Sequence, residues 1–197
     1  KDYDNYTLIS QDILKVNIDE EILKIEEKNN IKFTNVKVVA NLPYYITTPI
    51  IFKLLQDSKR ISEVIVMVQK EVAQRMVAQS NTKDYGILTL MVQYLSDASI
   101  AFLVPKESFI PAPNVTSAII VLKKNKKYKV KNEDLFIKLV HCAFAQRRKT
   151  MINSLFLTNF KNLSKEELNI LFEKLGIDKN VRAEQLDIND FIRICDM

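Results

Sequence analysis

The apolar positions of the first 125 residues fall into short runs that are separated by segments of helical spacing. Residues 36–40 (VKVVA) and 63–69 (EVIVMVQ) are nearly continuous apolar runs, which are typical of strands buried in a parallel sheet. Residues 5–10 (NYTLIS) predict a further strand. Between these runs, apolar residues three and four positions apart predict helices that pack on the sheet. Strands that alternate with helices indicate an α/β fold.

Local signals place several boundaries. Asn17 is a predicted helix cap, and the Thr48–Pro49 pair predicts a helix that begins just after the strand at 36–40. Residues 98–104 (ASIAFLV) and 115–122 (VTSAIIVL) predict two late strands. A proline-rich loop joins them without a helix, so we expect an antiparallel pair at the edge of the sheet.

After a lysine-rich stretch the pattern becomes helical throughout. Residues 132–156 predict one long helix, in which His141 packs as a hydrogen-bonded core residue. Ser164 and Glu167 form a predicted capping box for a helix that ends at Gly176. We therefore predict an α/β domain over residues 1–125 and a small helical domain over residues 126–197.

Composition narrows the class of protein. An apolar fraction of 47% excludes a disordered chain, and no apolar run reaches the ~18 residues of a membrane helix. The first residues lack a secretory pattern, so a cytoplasmic protein is expected. Two cysteines outside any CxxC pair and a single histidine predict buried free thiols and no metal site. The net charge of +5 permits an anionic partner, and its cations cluster in residues 123–131 and 146–149.

The stretch from Asn41 to Tyr44 carries the candidate chemistry, because ligands of open α/β sheets bind at the carboxyl ends of strands. The Asn41 amide and a carbonyl beside Pro43 offer two acceptors that suit an amino group. Tyr44 offers a face on which a flat base can stack. On residue types alone, the alternative is a plain turn in which Asn41 caps a helix, Pro43 stiffens the chain and Tyr44 packs.

Further motifs surround this stretch. An Asn-Leu-Pro-Tyr element at a strand end is the signature of enzymes that methylate amino nitrogens of bases and of glutamine. The chain continues in order with VMVQKEVAQRM, YGILTLMVQY, ESFIPAPNVTSAIIVL, AFAQRRKTMINSL and RAEQLD. With these motifs, nearly the whole chain closely resembles the KsgA-type ribosomal RNA adenine N6,N6-dimethyltransferases. Members of that family use S-adenosyl-L-methionine to dimethylate two adjacent adenosines in a hairpin loop near the 3′ end of small-subunit rRNA, a step of ribosome biogenesis.

The resemblance implies a role for each matching residue. Asn41 and the Leu42–Pro43 backbone match the catalytic groups that accept hydrogen bonds from the target amine, and Tyr44 matches the residue that stacks on the adenine. Phe109 matches an aromatic residue that closes the pocket. Asp12 matches the acid that accepts from the cofactor's adenine, and Asn41 also belongs to the cofactor site. The expected contacts to rRNA phosphates are the cations of both basic clusters: Lys123, Lys124, Lys126, Lys127, Arg147, Arg148 and Lys149.

One part of the family pattern is missing. A Gly-rich turn after a first strand and an acid after a second strand normally hold the cofactor, yet this chain contains no G-x-G. The chain therefore reads as a fragment: a partial Rossmann-like methyltransferase sheet without its first two strands, followed by a small all-α rRNA-binding domain. We expect residues 1–197 alone to be inactive, to bind S-adenosyl-L-methionine weakly or not at all, and to expose a sheet edge.

Three other functions remain open at this point. The antibiotic-resistance methyltransferases that act on large-subunit rRNA share the Asn-x-Pro-Tyr element. Other relatives keep the fold as non-catalytic ribosome-assembly or transcription factors. A Rossmann-like domain of unrelated function is the third, and the ordered motifs speak against it.

Overall fold

A computed structural model of the chain describes residues 5–125 and 127–197. It contains four strands and eight α-helices within those residues. In chain order these are α1 (Ile18–Asn29), β1 (Val36–Asn41), α2 (Thr47–Gln56), β2 (Ile61–Gln69), α3 (Lys70–Met76), α4 (Ile87–Leu95), β3 (Ser96–Val104), β4 (Ser117–Lys124), α5 (Glu133–Phe144), α6 (Met151–Leu157), α7 (Lys165–Leu175) and α8 (Ile188–Asp196). The predicted α/β sheet followed by a helical part is confirmed.

The four strands form one mixed sheet in the order β1-β2-β4-β3. β1 pairs parallel with β2, whereas β4 runs antiparallel to both β2 and β3. The predicted antiparallel pair of late strands is therefore confirmed. Because of these directions, β1, β2 and β3 all end at the edge of the sheet where β4 begins. We call this edge the carboxyl end of the sheet, and the opposite edge its amino end.

Two apolar cores meet at α4. Its Leu88 and Val92 join the core between the sheet and α2, whereas Leu90, Met91 and Tyr94 join the core that α5 to α8 enclose. The predicted domain boundary near residue 125 thus falls after a helix whose side chains contribute to both cores. The boundary itself stays a prediction.

The helical part begins and ends its helices where the sequence predicts, with one exception. The Ser164 hydroxyl and the Glu167 carboxylate form the expected capping box, and Gly176 ends α7 at a φ of +66°, which glycine adopts without strain. The predicted long helix over 132–156 is wrong, because the chain turns between α5 and α6. Thr150 caps α6 by accepting from the Asn153 N–H, so both helices direct an apolar face into one core.

Three further expectations are corrected. Residues 5–10 form no strand and are largely exposed, since no strand among the described residues pairs with them. β1 lies at the edge of the sheet, as expected of a sheet without its first two strands, so it is not the buried strand that its apolar run predicts, and Val39 is 76% exposed. His141 lies on the exposed face of α5 instead of in the core. Both cysteines are buried free thiols, as expected.

Candidate active site

The Asn41 turn (residues 41–46) leaves the carboxyl end of β1 and leads directly into α2. The Leu42 N–H donates to the Met67 carbonyl at 3.3 Å, which ties the start of the turn to β2. The Leu42 side chain is buried in the sheet core. Residues Tyr44–Ile46 then form one turn of 3₁₀ helix that runs into α2 at Thr47. Burial and hydrogen bonds therefore hold both ends of this short segment.

The carbonyl and amide oxygens of the turn differ in whether they accept a hydrogen bond within the protein. The Pro43 carbonyl oxygen accepts from the Ile46 N–H at 3.2 Å and from the Thr47 hydroxyl at 3.1 Å. Within residues 5–125 and 127–197, neither the Asn41 side chain nor the Leu42 carbonyl receives a hydrogen bond. Asn41 is exposed, and α2 begins without a side-chain cap. The alternative in which Asn41 caps the helix is therefore wrong, and two neighbouring acceptors receive no hydrogen bond from the described residues.

Tyr44 is fixed by a contact that crosses the sheet. Its phenol oxygen lies 2.5 Å from the Ser117 hydroxyl at the start of β4, and Ser117 is fully buried. Since β2 lies between β1 and β4, the Tyr44 side chain reaches across the carboxyl end of β2. The ring is partly exposed, so one hydrogen bond orients it while part of its surface stays open to solvent.

Phe109 lies in the loop between β3 and β4, at the same end of the sheet. It follows a 3₁₀ turn at Lys106–Ser108, and its N–H donates to the Lys106 carbonyl at 3.3 Å. Phe109 is partly exposed. The topology brings its loop and the Asn41 turn to one edge, but no ring contact joins Phe109 to Tyr44 in the described part of the chain.

Asp12 lies in an exposed turn before α1. One of its carboxylate oxygens, Oδ1, accepts the Leu14 N–H at 3.0 Å, and its carbonyl accepts from Lys15 and Val16. These bonds fix the backbone, and no residue in 5–125 or 127–197 donates to the second carboxylate oxygen, Oδ2, which can therefore accept from a ligand. The structure thus places an acceptor at Asp12, whose match to the cofactor site stays a prediction.

The cations after α5 lie on an open surface. Arg147, Arg148 and Lys149 are exposed in the turn between α5 and α6, and the Arg147 guanidinium donates to the Lys83 carbonyl at 3.2 Å. A cleft of about 420 Å³ opens beside this contact and also takes in Arg75. Arg75 and Lys83 were not among the predicted contacts, because each is an isolated cation in the sequence and only the fold brings it beside Arg147.

The lysine-rich stretch lies at the amino end of the sheet, away from the Asn41 turn. β4 carries Lys123 about 20 Å from Ser117, at ~3.3 Å per residue. Lys123 is paired in register with Glu63 and Asp97, and the Lys124 ammonium donates to the Ser58 carbonyl. The Lys127 ammonium lies 5.2 Å from the centroid of the Tyr128 ring. The structure does not bring these lysines to the Asn41 turn. Lys126, also among the predicted RNA contacts, lies outside the described residues.

The polar side chains at the amino end are paired with one another. The Glu26 carboxylate receives two bonds from the Arg60 guanidinium, at 2.5 and 3.2 Å, and one from the Phe33 N–H at 2.6 Å. The Arg60 and Phe33 bonds hold the pKa of Glu26 below its ordinary value. Burial raises the pKa of Asp19, but hydrogen bonds from Ser58 and the backbone outweigh burial and lower it.

Two further features are absent from the described residues. No three His, Cys, Asp or Glu side chains converge on a point where they could bind a metal ion. No described helix is both long enough and apolar enough to cross a membrane.

Known proteins resemble this chain over nearly its whole length. A sequence profile of the family described as ribosomal RNA adenine dimethylase matches residues 1–197. Ribosomal RNA small subunit methyltransferase A of Lactococcus lactis subsp. lactis (strain IL1403) is 45% identical over 98% of this chain and 65% of its own length. The protein of the same name from Clostridioides difficile (strain 630) is 46% identical over 96% of this chain and 64% of its own length. The chain thus spans just under two thirds of these relatives.

Solved structures share the fold. A dimethyladenosine transferase from Plasmodium falciparum superimposes with a TM-score of 0.70 at 26% identity, over 90% of this chain and 78% of that one. The 23S rRNA methyltransferase ErmE gives a TM-score of 0.59 at 19% identity, over 91% of this chain and 78% of its own. The family profile covers every residue, and the two bacterial relatives match the chain almost from end to end. The chain belongs to the ribosomal RNA adenine dimethylase family.

Proposed function

We propose that the protein containing this chain transfers methyl groups from S-adenosyl-L-methionine to the N6 amines of two adjacent adenosines in a hairpin loop of small-subunit rRNA. The observation that carries the proposal is the pair of unused acceptors, the Asn41 amide oxygen and the Leu42 carbonyl, beside the fixed ring of Tyr44. An amine with two N–H bonds needs two such acceptors, and a flat base needs a ring to stack on.

In the proposed reaction the turn positions the base. It does not have to remove a proton from the amine before methyl transfer. The N6 lone pair of adenine is delocalised into the ring, so the free amine is a poor nucleophile. Acceptors on its hydrogens hold the amine out of the ring plane and return electron density to nitrogen. The rigid turn keeps Asn41 and Leu42 in place while Tyr44 orients the base, and such positioning is worth several kcal/mol of the barrier.

The cofactor supplies an activated methyl group on a sulfonium. The residues present fit one end of it: the second carboxylate oxygen of Asp12 can accept from an adenine amino group, and Asn41 is the other residue that we assign to the cofactor site. A Gly-rich turn for the rest of the cofactor has no counterpart here, since Gly86 precedes α4 and Gly176 ends α7. We therefore expect residues 1–197 alone to bind S-adenosyl-L-methionine weakly, and micromolar affinity by calorimetry would contradict this.

The positive charge of the α5–α6 turn suits a negatively charged partner such as rRNA. Exposed Arg147, Arg148 and Lys149 can neutralise phosphates and thereby set the position of the enzyme without reading sequence. Residues 126–197 are accordingly proposed as the rRNA-binding domain and residues 1–125 as the methyltransferase part. The target base leaves its stack to reach Tyr44, and a hairpin loop lowers the cost of that step. The proposed compartment is the cytoplasm.

The test uses the protein at its full natural length with unmethylated small and large ribosomal subunits. Transfer of tritiated methyl groups is followed, and primer extension locates the dimethylated adenosines by the stops they cause. The proposal expects two adjacent stops near the 3′ end of small-subunit rRNA. Stops in large-subunit rRNA would favour the resistance-type alternative. Binding to small subunits without methyl transfer would favour a non-catalytic assembly factor.

A further inference from the structure

Tyr45 is the most exposed aromatic side chain near the Asn41 turn. It is 86% exposed, although it directly follows the anchored Tyr44. In the described part of the chain no hydrogen bond or ring contact engages Tyr45. A single exposed aromatic residue is common on protein surfaces and by itself indicates nothing. The backbone around Tyr45 distinguishes it from such a residue.

The 3₁₀ turn sends its three side chains in three directions. Such a helix has three residues per turn, so consecutive side chains leave it about 120° apart. Tyr44 reaches across β2 to Ser117, and Ile46 packs against the sheet core. Tyr45 takes the third direction, into solvent. It therefore contributes little to folding.

The backbone that carries Tyr45 is nonetheless rigid. The Pro43 carbonyl accepts from the Ile46 N–H and from the Thr47 hydroxyl, so hydrogen bonds close the chain on both sides of Tyr45. A tyrosine on a fixed backbone presents a large flat surface at a low cost in side-chain entropy, since it has two rotatable side-chain bonds. A ring presented in this way, four residues from Asn41, is suited to a flat ligand beside the target base.

We propose that Tyr45 is a second stacking platform, which holds an unpaired base next to the adenine bound by the Asn41 turn. This inference rests on the proposed function. Withdrawal of one base from a loop leaves its neighbour without a stacking partner, and every base has a π-face that an aromatic side chain can cover. Tyr45 is then a positioning residue: it holds the RNA strand and takes no part in methyl transfer.

The test places 2-aminopurine, a base whose fluorescence falls when it stacks, on either side of the target adenosine in the rRNA hairpin. The full-length protein is compared with its Tyr45→Ala, Tyr45→Phe and Tyr45→Leu variants. Quenching at one flanking position is expected with the native protein and with Tyr45→Phe. It should be lost with Tyr45→Ala and Tyr45→Leu, because alanine and leucine have no ring. Phe33→Ala, which removes a partly exposed ring at the amino end of the sheet, should quench like the native protein.

Kinetics provide the second readout. Loss of one base stack should raise KM for the rRNA substrate about tenfold in Tyr45→Ala and leave kcat nearly unchanged. The midpoint of thermal unfolding should not move, because the ring is exposed. Native methylation with unchanged quenching and KM in Tyr45→Ala would overturn this inference and leave the proposed function intact. A lowered unfolding midpoint would overturn it as well, since Tyr45 would then pack against protein. If the native protein methylates neither adenosine, the proposed function itself fails.

Discussion

The two ends of the sheet differ in whether polar groups are hydrogen-bonded within the fold. At the amino end, Asp19 accepts from Ser58 and from the Lys59 N–H, Glu26 holds Arg60, and Asn35 accepts from the Ser62 hydroxyl. At the carboxyl end, the Asn41 amide and the Leu42 carbonyl accept nothing from the described residues. One strand, β1, connects the two patterns. Groups paired within the fold stabilise it, whereas groups left unpaired beside a rigid turn are available to a ligand.

The largest expected effect separates the asparagine that ends β1 from the one that precedes it. Asn41→Ala in the full-length protein should lower kcat/KM for methyl transfer at least about a hundredfold, because the target amine loses an acceptor that positions it. Stability should change by less than about 0.5 kcal/mol, since the side chain is exposed and unbonded.

Asn35→Ala is the matched control. It removes the hydrogen bond to Ser62 and should lower the free energy of unfolding by up to about 1 kcal/mol with no effect on methyl transfer. Urea unfolding and methyl-transfer kinetics on both variants check the pair. If Asn41→Ala kept native activity, the role proposed for the turn would be wrong.

A smaller effect is expected from the bond that anchors Tyr44. Tyr44→Phe keeps the ring and removes the hydrogen bond to Ser117, so kcat/KM should fall about fivefold, the equivalent of one hydrogen bond. Ser117→Ala should act through the same bond, and the double variant should therefore be no worse than either single variant. Additive losses in this cycle would show that the two side chains act separately.

The amino end should affect stability against acid and leave activity at neutral pH alone. The pKa of Glu26 is lowered by its bonds to Arg60 and Phe33, so its stabilising effect is complete above the ordinary value of 4.5 and is lost as the pH falls through the lowered folded value. In Glu26→Gln this part of the pH dependence of unfolding should disappear below about pH 4.5. Thermal unfolding between pH 3 and pH 7 measures it. An unchanged acid profile would mean that the pair with Arg60 contributes nothing.

The smallest expected effect distinguishes two sets of cations. Arg147→Ala should reduce the slope of log affinity for rRNA against log salt by about 1, because one phosphate contact is lost. Lys123→Ala should leave the slope unchanged if its role is the cross-strand pairing with Glu63 and Asp97. Filter binding at several salt concentrations compares the two variants. A reduced slope for Lys123→Ala would restore the lysine-rich stretch as part of the RNA-binding surface.

Short-range signals in the sequence were sufficient for much of the fold. The Ser164–Glu167 capping box and Gly176 lie within a few residues of the helix ends that they define, and they act as predicted. The errors concern long-range partners. Residues 5–10 have the composition of a strand, but no strand in the described part of the chain pairs with them. The helix predicted over 132–156 breaks because tertiary packing favours two shorter helices.

The candidate site likewise combines residues that the sequence identifies with contacts that only the fold creates. Asn41 and Tyr44 lie three positions apart in a recognisable motif, so the sequence alone identifies them. Ser117 lies 73 residues from Tyr44, and only the sheet register brings their hydroxyls together. The Pro43 carbonyl accepts hydrogen bonds from Ile46 and Thr47, whereas the Leu42 carbonyl accepts none from the described residues, and this difference depends on how the chain enters α2.

Helix α4 gives Leu88 and Val92 to one core and Leu90, Met91 and Tyr94 to the other. If α4 moved away from one core, it would expose apolar surface of the other core as well. Opening either core therefore costs free energy in both. Heating should therefore melt residues on the two sides of position 125 in a single cooperative transition. A surface mutation that loosens the packing of α5 to α8 would therefore also reduce order in the sheet that carries Asn41, because α4 packs in both cores.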